Sequence, residues 1–387
     1  MMNQLSRYIA PALLAGALMA GPLPAAAQDT DAVVDRLQVL MAELGTNVAW
    51  EATEADGDDI ILTGVTVSEG GETLEIGDIR LSGISEIVDG YRIEEMSMEN
   101  YVFGDDDGSF EIDGVVLSGV ILPDEGTGEA YGGMLFYERA EVAEVRATVA
   151  GEDVFLLTNL NATVTPAGNG EPMRFSGGAE HFEADLSGVE DDVSGDVIQR
   201  MGYEQITGRL DMDGSWEPSD GRIAFTQFDL TIEQGGTLGF TFDISGYTPD
   251  FVRALGELSP DANDSASAMA MMGLMQQLSL HGAEISFRDD SLTERVLAIF
   301  AEDQGMRPQD VVNQAKAFLP FMLAQMNAPQ LGTMVADAVS EFLDNPQSIR
   351  ITASPEQPVP FALLMAGAMG SPQALADQIG LEVAAND

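Results

Sequence analysis

Residues 74–84 read LEIGDIRLSGI and residues 110–120 read FEIDGVVLSGV. In the first, Leu74, Ile76, Ile79, Leu81 and Ile84 are apolar; in the second, Phe110, Ile112, Val115, Leu117 and Val120 hold the same places. Two apolar residues at alternate positions, a two-residue gap and two more at alternate positions give the period of a strand with one dry face. A third copy lies between them, with Tyr91, Ile93, Met96, Met98 and Tyr101, and a partial earlier one has Ile60, Leu62 and Val65 around Thr63-Gly64.

The gap has two physical readings. Gly77-Asp78 and Asp113-Gly114 suit the two-residue turn of a hairpin, whose central residues need positive φ. In the middle copy the gap is Glu94-Glu95, which resists that conformation. The pattern therefore favours strands of about 11 residues, each bulged near its centre so that one face stays apolar. Turns are expected between copies, at Ser68-Glu69-Gly70-Gly71, at Asp89-Gly90 and at Gly104 to Gly108.

Strand character continues through Phe155 to Val164, Phe182 to Val189 and Ile206 to Trp216. Ile223, Phe225, Phe228 and Leu230 repeat the gap, and Leu238, Phe240, Phe242 and Ile244 alternate cleanly. After Tyr247 helical signals take over. A capping box at Ser291 and Glu294 opens Leu292 to Ala301, Pro308 opens another helix, and Leu331, Val335, Val339 and Phe342 line one that Pro346 ends. Short strands at Ala283 to Arg288, Ser348 to Thr352 and Leu381 to Val383 imply that these helices pack on a sheet.

The expected fold is α+β: a long antiparallel β meander with one apolar face, followed by a mainly helical C-terminal part with a few short strands. Its divisions are a signal peptide at 1–27, an N-terminal helix at 28–47, a β-rich repeat domain at 48–247 and a helical domain at 248–387 packed on the sheet. The signal reading rests on one base and no acid in Met1 to Arg7, an apolar stretch from Ile9 to Leu23, and the small-residue cleavage pattern Ala25-Ala26-Ala27. In the helix, Val33, Val34, Leu37, Leu40, Met41 and Leu44 fall on one face. These features predict an exported protein, periplasmic or secreted. No later membrane span is expected, because the uncharged stretch Ala317 to Val335 contains Pro320, Gln325, Asn327, Pro329 and Gln330.

With 65 acids against 16 bases and a net charge of −49, the surface repels nucleic acid and anionic headgroups. The acids are spread along the chain, as in a solvating shell. Zero cysteines exclude disulfides, thiolate metal sites and a thiol nucleophile. Three constellations are weighed. His181 and His281 are far apart in sequence and read as structural. Asp105, Asp106, Asp107 and Gly108 cluster oxygens on a turn, but an EF-hand frame would put Phe103 and Gly114 at ligand positions, so a solvated turn is expected. Met269, Met271, Met272 and Met275 bring thioethers together on a helix and read as pliable apolar packing rather than a copper(I) site. No metal, cofactor or catalytic set is assigned.

The gapped repeats with Leu81-Ser82-Gly83 and Leu117-Ser118-Gly119, and the copy at Ile223 to Leu230, resemble the β repeats of AsmA-like proteins of the Gram-negative envelope. The resemblance covers about a third of the chain. It implies an elongated, curved sheet whose apolar groove serves lipid handling or envelope organisation. The cleavable signal and the helical C-terminal part depart from that family, and no site residues carry over. The functional expectation is a non-enzymatic envelope protein that binds lipid or a protein partner through an apolar sheet face. The alternative is a periplasmic hydrolase with dispersed carboxylate catalysis.

Overall fold

The computed structural model describes residues 30–43, 46–57, 59–69, 72–105, 108–127, 135–168, 170–188, 194–256, 265–324 and 328–387. The expected signal peptide, Asp106 and Asp107 of the acidic turn, and Gly70-Gly71 lie outside these residues.

The chain opens with helix α1 (Thr30–Glu43) and the short strands β1 (Asn47–Ala49) and β2 (Ala52–Asp56). A run of strands follows: β3 (Asp59–Glu69), β4 (Glu72–Ile87), β5 (Gly90–Asp105), β6 (Gly108–Pro123), β7 (Arg139–Val149), β8 (Glu152–Thr165) and β9 (Met173–Asp185). Helix α2 (Ser194–Met201) leads to β10 (Gln205–Glu217), β11 (Arg222–Ile232) and β12 (Gly236–Ser245). Helices α3 (Pro249–Gly256) and α4 (Ser265–Met275) precede β13 (Ser279–Asp289). Then come α5 (Leu292–Gln304), α6 (Pro308–Leu323), α7 (Pro329–Asp344), β14 (Ser348–Ala353), β15 (Val359–Pro360), α8 (Phe361–Gly370), α9 (Pro372–Gln378) and β16 (Leu381–Ala385).

Among the described residues the strands form one antiparallel 16-stranded sheet that follows chain order almost throughout. Only β2, which joins β3 beside β1, and β15, which joins β13, leave the main path. Tyr247, where strand signals give way to helical ones, does not interrupt it. Strand β12 pairs with β13 from Gly236↔Asp289 to Ser245↔Ser279.

The repeats fold as extended chain, and β4, β5 and β6 are each 16 residues long rather than about 11. The Leu-Ser-Gly step kinks β4 and β6 instead of ending them. Gly77 and Gly83 in β4, and Gly114 and Gly119 in β6, have φ of 84°, 65°, 64° and 64°. One left-handed residue shifts the side-chain phase, so Ile112 and Val115, three apart, share a face. The β5–β6 ladder passes from Asn100↔Asp113 to Met98↔Val115 and from Glu95↔Ser118 to Ile93↔Val120. One residue drops out on each strand at the same level, so the register survives.

This arrangement also accounts for Glu94-Glu95 in a copy without glycine. Strand β5 lies between two glycine-bearing strands, and the Glu94 side chain fills the space over Gly83, where an added Cβ would stand 2.6 Å from its Cγ. Glu138 covers Gly119 in the same way.

Two further expectations are corrected. The strand placed at Phe182 to Val189 begins earlier, at Met173, and ends at Asp185; Ser187-Gly188 is a turn, and Val189 lies outside the described residues. Strand β7 and helix α2 carried too little periodicity to be drawn separately. At the start of α5, Ser291 has φ of 96° and makes no cap hydrogen bond. The Asp289 carboxylate takes that role, accepting from the Thr293 amide at 2.8 Å and its hydroxyl at 2.7 Å, while the Ser291 hydroxyl donates to the Gln234 carbonyl.

The main core lies under α1. Val33, Val34, Leu37 and Leu40 pack on Ile60, Leu62 and Val65 of β3, Leu81 and Ile84 of β4, Ile93 of β5, Val120 to Leu122 of β6, and Phe136, Tyr137, Met173 and Trp216. Each fully buried aliphatic side chain there contributes about 1.5–3 kcal/mol. At the opposite end of the sheet, α7 lays Ala338 and Phe342 on Phe287, Ile349, Val383 and Ala385. Helix α7 of that end therefore packs against the sheet.

Candidate functional site

Following directly opposed residues from strand to strand reveals one unbroken apolar row. It runs Leu62, Ile79, Met98, Val115, Val142, Leu160, Ala179, Leu210, Leu230, Leu238, Phe287, Ile349 and Ala385. Opposed residues of an antiparallel pair project to the same side, so these side chains share a face from β3 to β16.

That face is sealed beneath α1 and unevenly covered beyond it: β9 buries Met173, Ala179 and Phe182, while β8, β11 and β12 are only partly covered. Leu62 beneath α1 is fully buried, whereas Leu238 is 49% exposed. None of the fourteen residues of β8 or the eleven of β11 is buried. The partly covered floor carries a chain of aromatic rings, from Phe175 at the edge of the main core: Phe175 to Phe225 at 5.1 Å, Phe225 to Phe242 at 4.8 Å, and Phe242 to Phe240 at 5.5 Å between centroids. Tyr101, Phe103 and Phe110 form a second stack on the same face, at 5.4 and 5.1 Å. Such a surface offers dispersion contact and excludes nothing by charge.

The charges lie on the alternate positions. Arg146 bonds Glu144 and Asp153, Arg80 bonds Asp59 and Asp56, and Arg222 bonds Asp243 in a two-pronged pair. Each guanidinium is held above its ordinary pKa chiefly by these hydrogen bonds. One side of the sheet is therefore apolar and the other ionic.

Tyrosines mark the buried part. The Tyr101 and Tyr137 hydroxyls have no hydrogen-bond partner. Burial, helped by Glu75, pushes Tyr101 up to about 12, and burial alone raises Tyr137 further.

The two histidines weighed in the sequence do not come together. His181 pairs with Glu183 at 2.9 Å on β9, while His281 meets the Ser245 hydroxyl at 2.9 Å on β13. Met269, Met271 and Met272 are all exposed on α4. Among the described residues no three His, Cys, Asp or Glu side chains stand close enough to hold a metal ion. Two open hollows of about 490 Å³ each lie beside Trp50, Glu75 and Tyr101 and beside Arg174, Asp213 and Thr226. Neither is lined by a histidine.

Sequence reasoning missed Phe136 and Tyr137, both fully buried, because two adjacent aromatics carry no period. It also missed Met173 and Trp216, whose roles become visible only once β9 and β10 are paired at Met173↔Trp216. Among the described residues, no helix is long and apolar enough to cross a membrane. A family model described as "Uncharacterized protein" matches residues 229–386, from within β11 to the last strand. No curated protein matches the chain.

Proposed function

We propose that this chain is a non-enzymatic exported protein of the cell envelope, periplasmic or secreted, that holds an acyl chain or similarly apolar ligand along its sheet face. The carrying observation is the unbroken apolar row, sealed beneath α1 but without a buried residue on β8 or β11 and with Leu238 and Phe240 of β12 open to solvent. A folded protein that leaves such a stretch half-open has a surface suited to an apolar occupant. The resemblance of the gapped repeats to AsmA-like proteins supports the same reading.

A partner protein would be a less suited occupant, because the floor offers apolar and aromatic side chains with few polar groups to fix a backbone. The hydrolase alternative gains nothing here. Among the described residues, Asp185 and Asp310 are held low, by Ser187 and by Arg307 respectively, the opposite of what a general acid needs.

The test is native mass spectrometry of the protein purified from its own host, followed by loading of delipidated protein with fatty acid. Retained or stoichiometrically acquired acyl species are the expected result. A protein that emerges empty and acquires none refutes the proposal.

A further inference from the structure

Three stretches of the C-terminal part carry no Asp, Glu, Lys or Arg: residues 265–283, 317–336 and 357–376. In a chain that is 21% charged and carries a net charge of −49, each is an anomaly. The fold brings all three to one end of the sheet. The first supplies α4 and the start of β13; the third supplies β15 and α8, which begins where the Phe361 amide donates to the Leu278 carbonyl at 3.0 Å. The second supplies the C-terminal half of α6 and the first half of α7, whose Gln330 and Leu331 amides donate to the Gln373 side chain of α9. Ala328, which precedes α7, and Leu331 of α7 cluster with Ala376 and Leu381, and β16 starts opposite the end of β14.

This end is apolar as well as uncharged. Met269, Met272, Phe318, Phe321, Leu363 and Met365 are between 43% and 70% exposed. The switch along α6 is abrupt. It carries Asp310 and, just past its midpoint, Lys316, which is bound to Asp344 at 2.6 Å, and every residue after Lys316 is neutral.

We infer that this uncharged end is a docking surface for a neutral, zwitterionic lipid bilayer. Electrostatics selects that occupant. A second copy of a chain of charge −49 and an anionic bilayer are both repelled, and the patch has no cation to attract either. A neutral interface imposes no such penalty on short helices that present Phe, Leu and pliable Met. The apolar face runs into this end through Ile244↔Leu280 and Phe242↔Ala283, so a docked bilayer would stand at the mouth of the proposed ligand surface. Docking itself does not rest on ligand uptake, and the two are separable by experiment.

The experiment is co-flotation of the full chain with pure phosphatidylcholine vesicles, alongside the double variant Phe318→Asp/Phe321→Asp and the control Val39→Asp, at a 46%-exposed site on α1. Circular dichroism checks that all three are folded. The wild type and the control are expected to float, and the double variant to lose at least tenfold in bound fraction. Replacing a third of the lipid by phosphatidylglycerol should weaken wild-type binding. The inference is overturned if the double variant floats as well as the wild type, if the wild type does not float, or if light scattering shows a lipid-free dimer that the double variant dissociates. Floating without acyl uptake would refute the ligand proposal alone; uptake without floating would refute the docking surface alone.

Discussion

Strands β3 to β6 and strands β8 to β12 use the same apolar alternation, yet the first set builds a dry core and the second is dry only at points such as Met173, Ala179, Phe182 and Trp216. The difference lies in what covers them. Helix α1 places Val33, Val34, Leu37 and Leu40 over the first set, whereas the described helices with buried contacts on the C-terminal sheet sit over Phe287, Ile349 and Ala385. An apolar strand face is therefore not by itself a core; it becomes one when a second layer seals it. The same row of residues contains both situations, which permits direct comparison.

The largest expected effect comes from Leu62→Ala. This side chain is fully buried under α1, and its loss should cost about 2–5 kcal/mol by urea denaturation. Leu160→Ala, in the same row but on β8, should cost about 1–2 kcal/mol, since this side chain is only partly buried. Equal costs would erase the contrast.

Next in size is Gly119→Ala. An alanine there would hold φ of 64° and press its Cβ toward Glu138, so a loss of about 1–2 kcal/mol is expected in the same assay. Gly168→Ala, in a loop with open space around it, should change stability by less than about 0.5 kcal/mol.

The buried tyrosines sharpen the comparison through pH. Tyr101 in the folded chain is pushed up to about 12 from an ordinary value of 10.0, because burial disfavours the phenolate. Between those values the unfolded chain has lost the proton and the folded chain keeps it, so the stabilisation is complete below pH 10 and fades as pH rises toward 12. Tyr101→Phe should flatten that decline. At neutral pH it should leave stability unchanged or slightly higher, because the hydroxyl it removes has no partner. Chemical denaturation at pH 7 and across the alkaline range measures both.

The smallest effect concerns charge. At −49 the chain repels itself, so its melting temperature should rise by a few degrees between low salt and about 0.5 M salt, where the Debye length is only a few ångströms.

The repeat fixed the meander because period-two alternation has one physical meaning when it recurs at each copy. Its gaps were legible as kinks, and Glu94-Glu95 ruled against hairpins, but the true strand length was hidden because Gly83 and Gly119 look like terminators and act as phase shifts. The helices beyond Tyr247 were visible from Pro308 and from the Leu331 to Phe342 stripe. The Ser291 cap was misplaced because Asp289 lies outside the ordinary capping spacing. The open floor could not be read at all. Phe175, Phe225 and Phe242 lie on three strands, and only register brings their rings together. Nor does any local pattern say that Leu160 will lack the cover that Leu62 receives.

The absence of cysteine allows a direct probe of that contrast. Single variants Leu160→Cys and Ile93→Cys, treated with a water-soluble maleimide with and without fatty acid, report whether the middle of the face is open and occupied. The account predicts labelling at position 160 that is much faster than at position 93 and that fatty acid suppresses. An inert thiol at position 160, or one whose rate fatty acid leaves unchanged, would contradict it.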